Sequence, residues 1–174
     1  AGCTPVAALA DEQRVPPMAH DLGVDVFIGG DDIRRLVTGL GMPHPIVAIF
    51  ERPPRPSATS LLARTHRLVI VEQVDNPANI GGIVRNAAGL GWDGLLLDGE
   101  SGDPLSRRSL RVAMGTTFEL PHARTSDLEG LLKAEALDGR RDLIALTPDE
   151  TAAPIDRVAA ELDPSRPRAR KVEA

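Results

Sequence analysis

The chain has 174 residues, 42% hydrophobic and 26% charged. It is long enough to bury a core without cross-links, and its one cysteine, Cys3, excludes an internal disulfide or a cysteine-built zinc site. A net charge of −5 confines any nucleic-acid contact to a local basic patch, and 2% aromatics with no Tyr argue against base stacking on aromatic platforms. No charged-then-apolar leader opens the sequence and no apolar run is long enough to span a bilayer, so a cytoplasmic chain without a membrane partner is expected.

In chain order, residues 4–12 (TPVAALADE) predict a short helix and 24–29 (VDVFIG) a strand. Residues 31–41 predict a helix capped by Asp31 and stopped by Gly41, and 45–51 (PIVAIFE) a second strand. RPPRPS, 52–57, packs three prolines where neither a helix interior nor a central strand tolerates them. A small domain is therefore expected over 1–52, incomplete at its start, with a Pro-rich linker over 53–60 and a second domain over 61–160. In that second domain, 67–73 (RLVIVEQ) and 94–98 (GLLLD) read as strands around a helix over about 80–90. Asp103 and Pro104 begin a short helix, 116–121 (TTFELP) is a short strand, and 126–139 is a helix capped by Ser126 and ended by Gly139. DLIALTP, 142–148, is the last strand, and 161–174 a basic, disordered tail. Apolar strands alternating with helices point to an α/β fold with a mostly parallel sheet.

The stretch DNPANIGGIVRNAAGLG, 75–91, holds the most chemistry. Ile80, Ile83, Val84, Ala87 and Leu90 recur at helical spacing and predict a face packed on the sheet. Asn79, Gly81 and Gly82 are expected at the strand-to-helix turn, where free amides favour an anion that Arg85 can grip from the helix. An ordinary turn with a solvated arginine is the bland alternative; the asparagines then serve as helix cap and surface amide. The adjacent glycines fit neither a dinucleotide fingerprint nor a P-loop. Arg107, Arg108 and Arg111, at i,i+4 and i,i+3 spacing, form a positive edge that suits RNA phosphates or, failing that, a solvated face paired with Asp103. Glu72 is the nearest acidic candidate. His20, His44, His66 and His122 lack metal spacing and read as structural or surface residues.

The pattern Asn79, Gly81, Arg85, Asn86 resembles the first motif of the SpoU (TrmH-like) group of SPOUT-class RNA methyltransferases. DGLLLD, the arginine-rich 103–121 segment with its Met-Gly, and LIALTP match in order, over residues 67–158. The resemblance implies a SPOUT-type sheet preceded by a small substrate-binding domain similar to a ribosomal-protein fold. It implies transfer of a methyl group from S-adenosylmethionine to a ribose 2′-hydroxyl of rRNA or tRNA, with structured RNA rather than DNA as partner, and a homodimer. On this reading Arg85, Asn79 and Asn86 are catalytic, Arg107, Arg108 and Arg111 hold RNA, and Leu146, Thr147 and Pro148 contact the cofactor. Those last three otherwise read as a strand exit broken by proline. The family's later glycine-rich and Ser-Leu-Asn motifs, which build its knot, do not follow Val158. A chain incomplete at its C-terminus, with an uncovered sheet edge and weak or no cofactor binding, is therefore expected, and a remnant that only binds RNA is the competing reading. Without the resemblance, a nucleotide-binding α/β protein would be the further alternative.

Overall fold

A computed structural model describes residues 3–39 and 44–137; the expected strand at 142–148, the tail, and the helix-stop glycines Gly41 and Gly139 lie outside them. The chain divides into two compact units, the first ending at Pro54 and the second beginning at Arg55.

In the first unit, β1 (Pro5–Asp11), β2 (Val26–Gly29) and β3 (Ile46–Phe50) form one sheet in the order β2-β1-β3, parallel on one side of β1 and antiparallel on the other. The helix expected at 4–12 is thus the central strand. Alanine favours helices locally, but Ala8 and Ala10 are small side chains buried in the middle of the sheet, and burial overrides propensity. Helix α1 (Asp31–Thr38) is capped by Gly30 rather than Asp31, and it ends at Gly39, whose φ of 65° suits glycine. Asp31 instead takes a hydrogen bond from the buried Arg34, which also donates to Asp11 at 2.8 Å and to the His44 carbonyl at 2.8 Å. Three acceptors around one buried guanidinium offset its desolvation.

The second unit opens with α2 (Ala58–Arg64), a helix not foreseen from the sequence; it begins inside the range expected for the linker. Ser57 caps it by accepting from the Ser60 amide at 3.1 Å. Then β4 (Leu68–Val71), α3 (Pro77–Gly89), β5 (Gly94–Leu97), α4 (Arg107–Ala113), β6 (His122–Arg124) and α5 (Leu128–Leu137) follow. The strands form a parallel sheet in the order β4-β5-β6, with Leu68 opposite Gly94 and Leu95 opposite His122. Every residue of β5 is buried. Leu95 and Leu97 face a core with Val71, Ile80, Val84, Ala87 and Ala113, while Leu96 faces Leu61, Ala123, Leu128 and Leu132 on the other side. Each such leucine stabilises the unit by roughly 2 kcal/mol.

Two local expectations are corrected here. Residues 116–118 form a 3-10 turn, not a strand, because Met114 (φ 55°) and Gly115 (φ 90°) reverse the chain and the Thr116 hydroxyl donates to the Ala113 carbonyl at 2.7 Å. The last helix is not capped by Ser126: Asp127 accepts the Gly130 amide at 2.8 Å.

Candidate functional site

Asn76, not Asn79, starts α3. Its side chain accepts the Ala78 amide at 2.9 Å, and Pro77 takes the first helical position, where a missing N–H costs nothing. Asn79, Gly81 and Gly82 therefore lie within the helix rather than at the turn before it. Gly81 is there for packing: a Cβ on it would stand 2.5 Å from the Ser109 carbonyl and 2.8 Å from the Val112 Cβ, so α3 and α4 touch backbone to backbone. Ser109 adds a hydroxyl hydrogen bond to the Pro77 carbonyl at 2.8 Å. Gly82 faces open space. The buried stripe of α3 is Ile80, Gly81, Val84 and Ala87; Leu90, expected on it, ends the helix and is 71% exposed.

Arg85, Asn79 and Asn86 are exposed and make no side-chain hydrogen bond or ion pair among the described residues. The asparagines do not orient Arg85 through a direct hydrogen bond. Asn79 and Asn86, seven residues apart, share one side of α3, and Arg85 stands roughly 100° from Asn86 about the axis. Arg85 and Asn86 line a shallow hollow with Leu90, Thr116 and Glu119.

Helix α4 is capped by Ser106, whose hydroxyl accepts the Ser109 amide at 3.4 Å. Asp103, expected to cap it, instead shapes the turn before the helix by accepting the Leu105 amide at 3.0 Å, and it pairs with Arg55 at 2.7 Å. Ser109 and Ala113 point into the core, which leaves Arg107, Arg108 and Arg111 together on the outer face, lining a second hollow with Val112. None of the three pairs with Asp103 or any other acid among the described residues. Three guanidiniums within two turns, with no acid beside them among the described residues, give this face a local positive potential that attracts anions. Arg85 lines a different hollow, so the two arginine groups, distinct in sequence, are distinct on the surface as well.

The loops at the C-terminal ends of β4 and β5 support these helices. Asp98 accepts the Gln73 amide at 3.0 Å and the Ser101 amide at 2.8 Å. Burial pushes its carboxyl up, but hydrogen bonds from Ser101 and Gln73 and the charge of Arg124 outweigh that and hold it below the usual carboxylate range. Glu72, half-buried, follows β4 and precedes Gln73. His122 is buried; its Nδ1 lies 3.3 Å from the Leu120 carbonyl, and burial, with a smaller push from Arg55, holds its pKa down against that bond. Leu146, Thr147 and Pro148 lie outside the described residues. The roles of Arg124, Asp98 and Ser101 carried no sequence signal beyond their places at strand ends.

Residues 66–167 match the SpoU rRNA methylase family. An uncharacterised tRNA/rRNA methyltransferase of Mycobacterium bovis is 31% identical over 166 residues, 94% of this chain and 57% of that protein. The Bacillus subtilis 23S rRNA (guanosine(2553)-2′-O)-methyltransferase is 27% identical over 114 residues, 66% of this chain and 44% of that one. Among solved structures, the SpoU methyltransferase AviRb of Streptomyces viridochromogenes, crystallised with S-adenosylmethionine, aligns with a TM-score of 0.64 and 28% identity over 83% of this chain and 57% of its own. The chain thus spans about half the length of these relatives, 44% to 57% of each. A match across more than half of the chain, joined to the parallel sheet they share, makes this chain a member of the SpoU rRNA methylase family.

Proposed function

We propose that this chain serves an RNA methyltransferase that moves a methyl group from S-adenosylmethionine to a ribose 2′-hydroxyl of rRNA or tRNA. The observation that carries the reading is Arg85: an exposed guanidinium with no side-chain partner among the described residues, at the family's motif position on α3, in the same small unit as the three-arginine face of α4. The 2′-O-methyltransferase name of the B. subtilis relative supports the ribose position, and the related structure crystallised with S-adenosylmethionine supports the cofactor.

A ribose hydroxyl is a weak nucleophile and must shed its proton as its oxygen takes the methyl. An arginine stays protonated near neutrality, so Arg85 acts by positioning a phosphate and the reacting hydroxyl and by stabilising the developing negative charge. Asn79 and Asn86 offer amide donors and acceptors along the neighbouring side of α3, toward RNA rather than toward Arg85. Arg107, Arg108 and Arg111 hold phosphates and fix register. S-adenosylmethionine, when bound, supplies an electrophilic methyl; the residues expected to hold it, Leu146, Thr147 and Pro148, lie outside the described residues, and no described residue is assigned to it. A homodimer, implied by the family resemblance, and a cytoplasmic setting, suited to a chain with a single cysteine, complete the reading. No helix among the described residues is long and apolar enough to cross a membrane.

The test is incorporation of labelled methyl into ribosomal or transfer RNA, followed by mapping of the modified ribose. Arg85→Ala should reduce transfer by on the order of a hundredfold or more while leaving the fold intact. Methylation on a base, or transfer retained in the variant, would refute the assignment. RNA binding without transfer would favour a module that only binds RNA.

A further inference from the structure

Arg124 stands at the end of β6, opposite Leu97, on the sheet face that carries α3 and α4. Its guanidinium reaches across to the loop after β5. Nη1 donates to the carbonyls of Asp98 at 2.7 Å and Gly99 at 2.9 Å; Nη2 donates to those of Ser101 at 2.7 Å and Gly102 at 3.0 Å. All four hydrogens on the two terminal nitrogens thus meet main-chain oxygens of one short loop. A lysine ammonium, with three donors from one point, cannot span two separated pairs of carbonyls.

The same loop holds the one before α3. Ser101 Oγ accepts the Val74 amide at 3.2 Å, Gly102 donates to the Val74 carbonyl at 2.8 Å, and Asp98 fixes Gln73 in a left-handed conformation at φ 54°. Gly102 lies so close that a Cβ on it would come within 2.9 Å of the Asp75 carbonyl. A non-glycine residue in that backbone region persists only where its surroundings over-determine it. The chain of contacts runs from Arg124 through residues 98–102 to residues 73–75, one step from Asn76, the cap of α3. On its other side the loop leads through Asp103 to Ser106, the cap of α4.

We propose that Arg124 is a positioning residue: it holds the two strand-end loops and so sets the starts of α3 and α4, and with them Arg85 and the arginine face, for RNA. What the helices do with that setting rests on the proposed RNA methyltransferase reading; the hold itself does not. Arg124 touches no RNA in this proposal, since its terminal N–H groups are taken by carbonyls.

The experiment uses the full chain with Arg124→Ala and Arg124→Lys, and reads amide hydrogen exchange and the affinity for labelled ribosomal RNA across a salt series. Both variants should keep the helical circular-dichroism spectrum. The Gln73, Val74, Ser101 and Gly102 amides should exchange about tenfold faster or more, as expected when charged hydrogen bonds are lost. RNA affinity should fall by about tenfold with the salt slope unchanged, because no phosphate contact is removed. Millimolar guanidinium should restore part of the affinity of Arg124→Ala. Unchanged exchange overturns the proposal, as does accelerated exchange with unchanged affinity. A slope reduced by about one would make Arg124 a phosphate contact instead. If the parent chain shows no salt-dependent RNA binding, the RNA reading of α4 falls, and exchange alone then decides whether Arg124 holds the loops.

Discussion

Replacing Gly81 by alanine isolates the packing on which the site depends. A Cβ there would sit 2.5 Å from the Ser109 carbonyl oxygen, half an ångström inside the 3.0 Å limit that real Cβ contacts keep, and 2.8 Å from the Val112 Cβ. The Ser109 oxygen is main chain, so relief requires α3 and α4 to separate. Overpacking of this kind costs about 1–3 kcal/mol, and an obstructing backbone places this site at the upper end. Alanine in a helix interior returns about 1 kcal/mol relative to glycine, so the net loss should be about 2 kcal/mol. Gly82, next in sequence, faces open space, and Gly82→Ala should instead gain up to about 1 kcal/mol. Urea unfolding followed by fluorescence reads this unit alone, because Trp92 is the only tryptophan and packs on its core. The midpoints of the two variants should move in opposite directions at similar slope. Equal midpoints, or an Arg107–Arg108–Arg111 face that binds RNA unchanged in Gly81→Ala, would refute the close-contact argument.

Arg108→Ala should weaken RNA binding and lower the slope of log affinity against log salt by about 0.9; an unchanged slope returns Arg108 to a merely solvated role. His122 is buried with its pKa depressed, so the folded state binds fewer protons than the unfolded one as pH falls from 6.5 toward its folded pKa. Stability should therefore rise with pH through that window and be lost as pH falls through it, and His122→Gln should flatten the dependence in urea midpoints taken between pH 7 and 5. In the first unit, Arg34→Ala leaves the Asp11 carboxylate and the His44 carbonyl without their buried donor and should cost about 3 kcal/mol. Hydrogen exchange of the β1 amides reports that loss, and unchanged protection would mean the pair contributes little.

The parallel sheet and its helices were legible because their signals are local and agree: apolar runs at 67–73 and 94–98 and a helical stripe from Ile80 to Ala87. Where the reading failed, a nonlocal contact decided. Ala7, Ala8 and Ala10 look helical until two neighbouring strands claim them. TTFELP looks extended, yet Met114 and Gly115 turn the chain before it can pair. Four helix starts shifted, from Asp31 to Gly30, from Asn79 to Asn76, from Asp103 to Ser106 and from Ser126 to Asp127, because several capping residues stand close together and only packing chooses among them. For the site, residue type and spacing exposed Arg85 and the α4 arginines. Gly81 was read as a place where another backbone or a ligand comes close, and the neighbour is the backbone of α4; nothing in the spacing of Asp98, Ser101 and Arg124 announced that they meet.

The sheet order β4-β5-β6 has a kinetic side. Each parallel pairing joins strands that a helix separates in sequence, so neither can form until the intervening crossover has closed. With strands of four, four and three residues, one pairing returns few hydrogen bonds against that closure. Assembly of this unit should therefore wait on a nucleus in which α3 already lies against β4 and β5, and substitutions at Ile80 or Val84 should slow folding, whereas changes to the exposed arginines should leave its rate untouched.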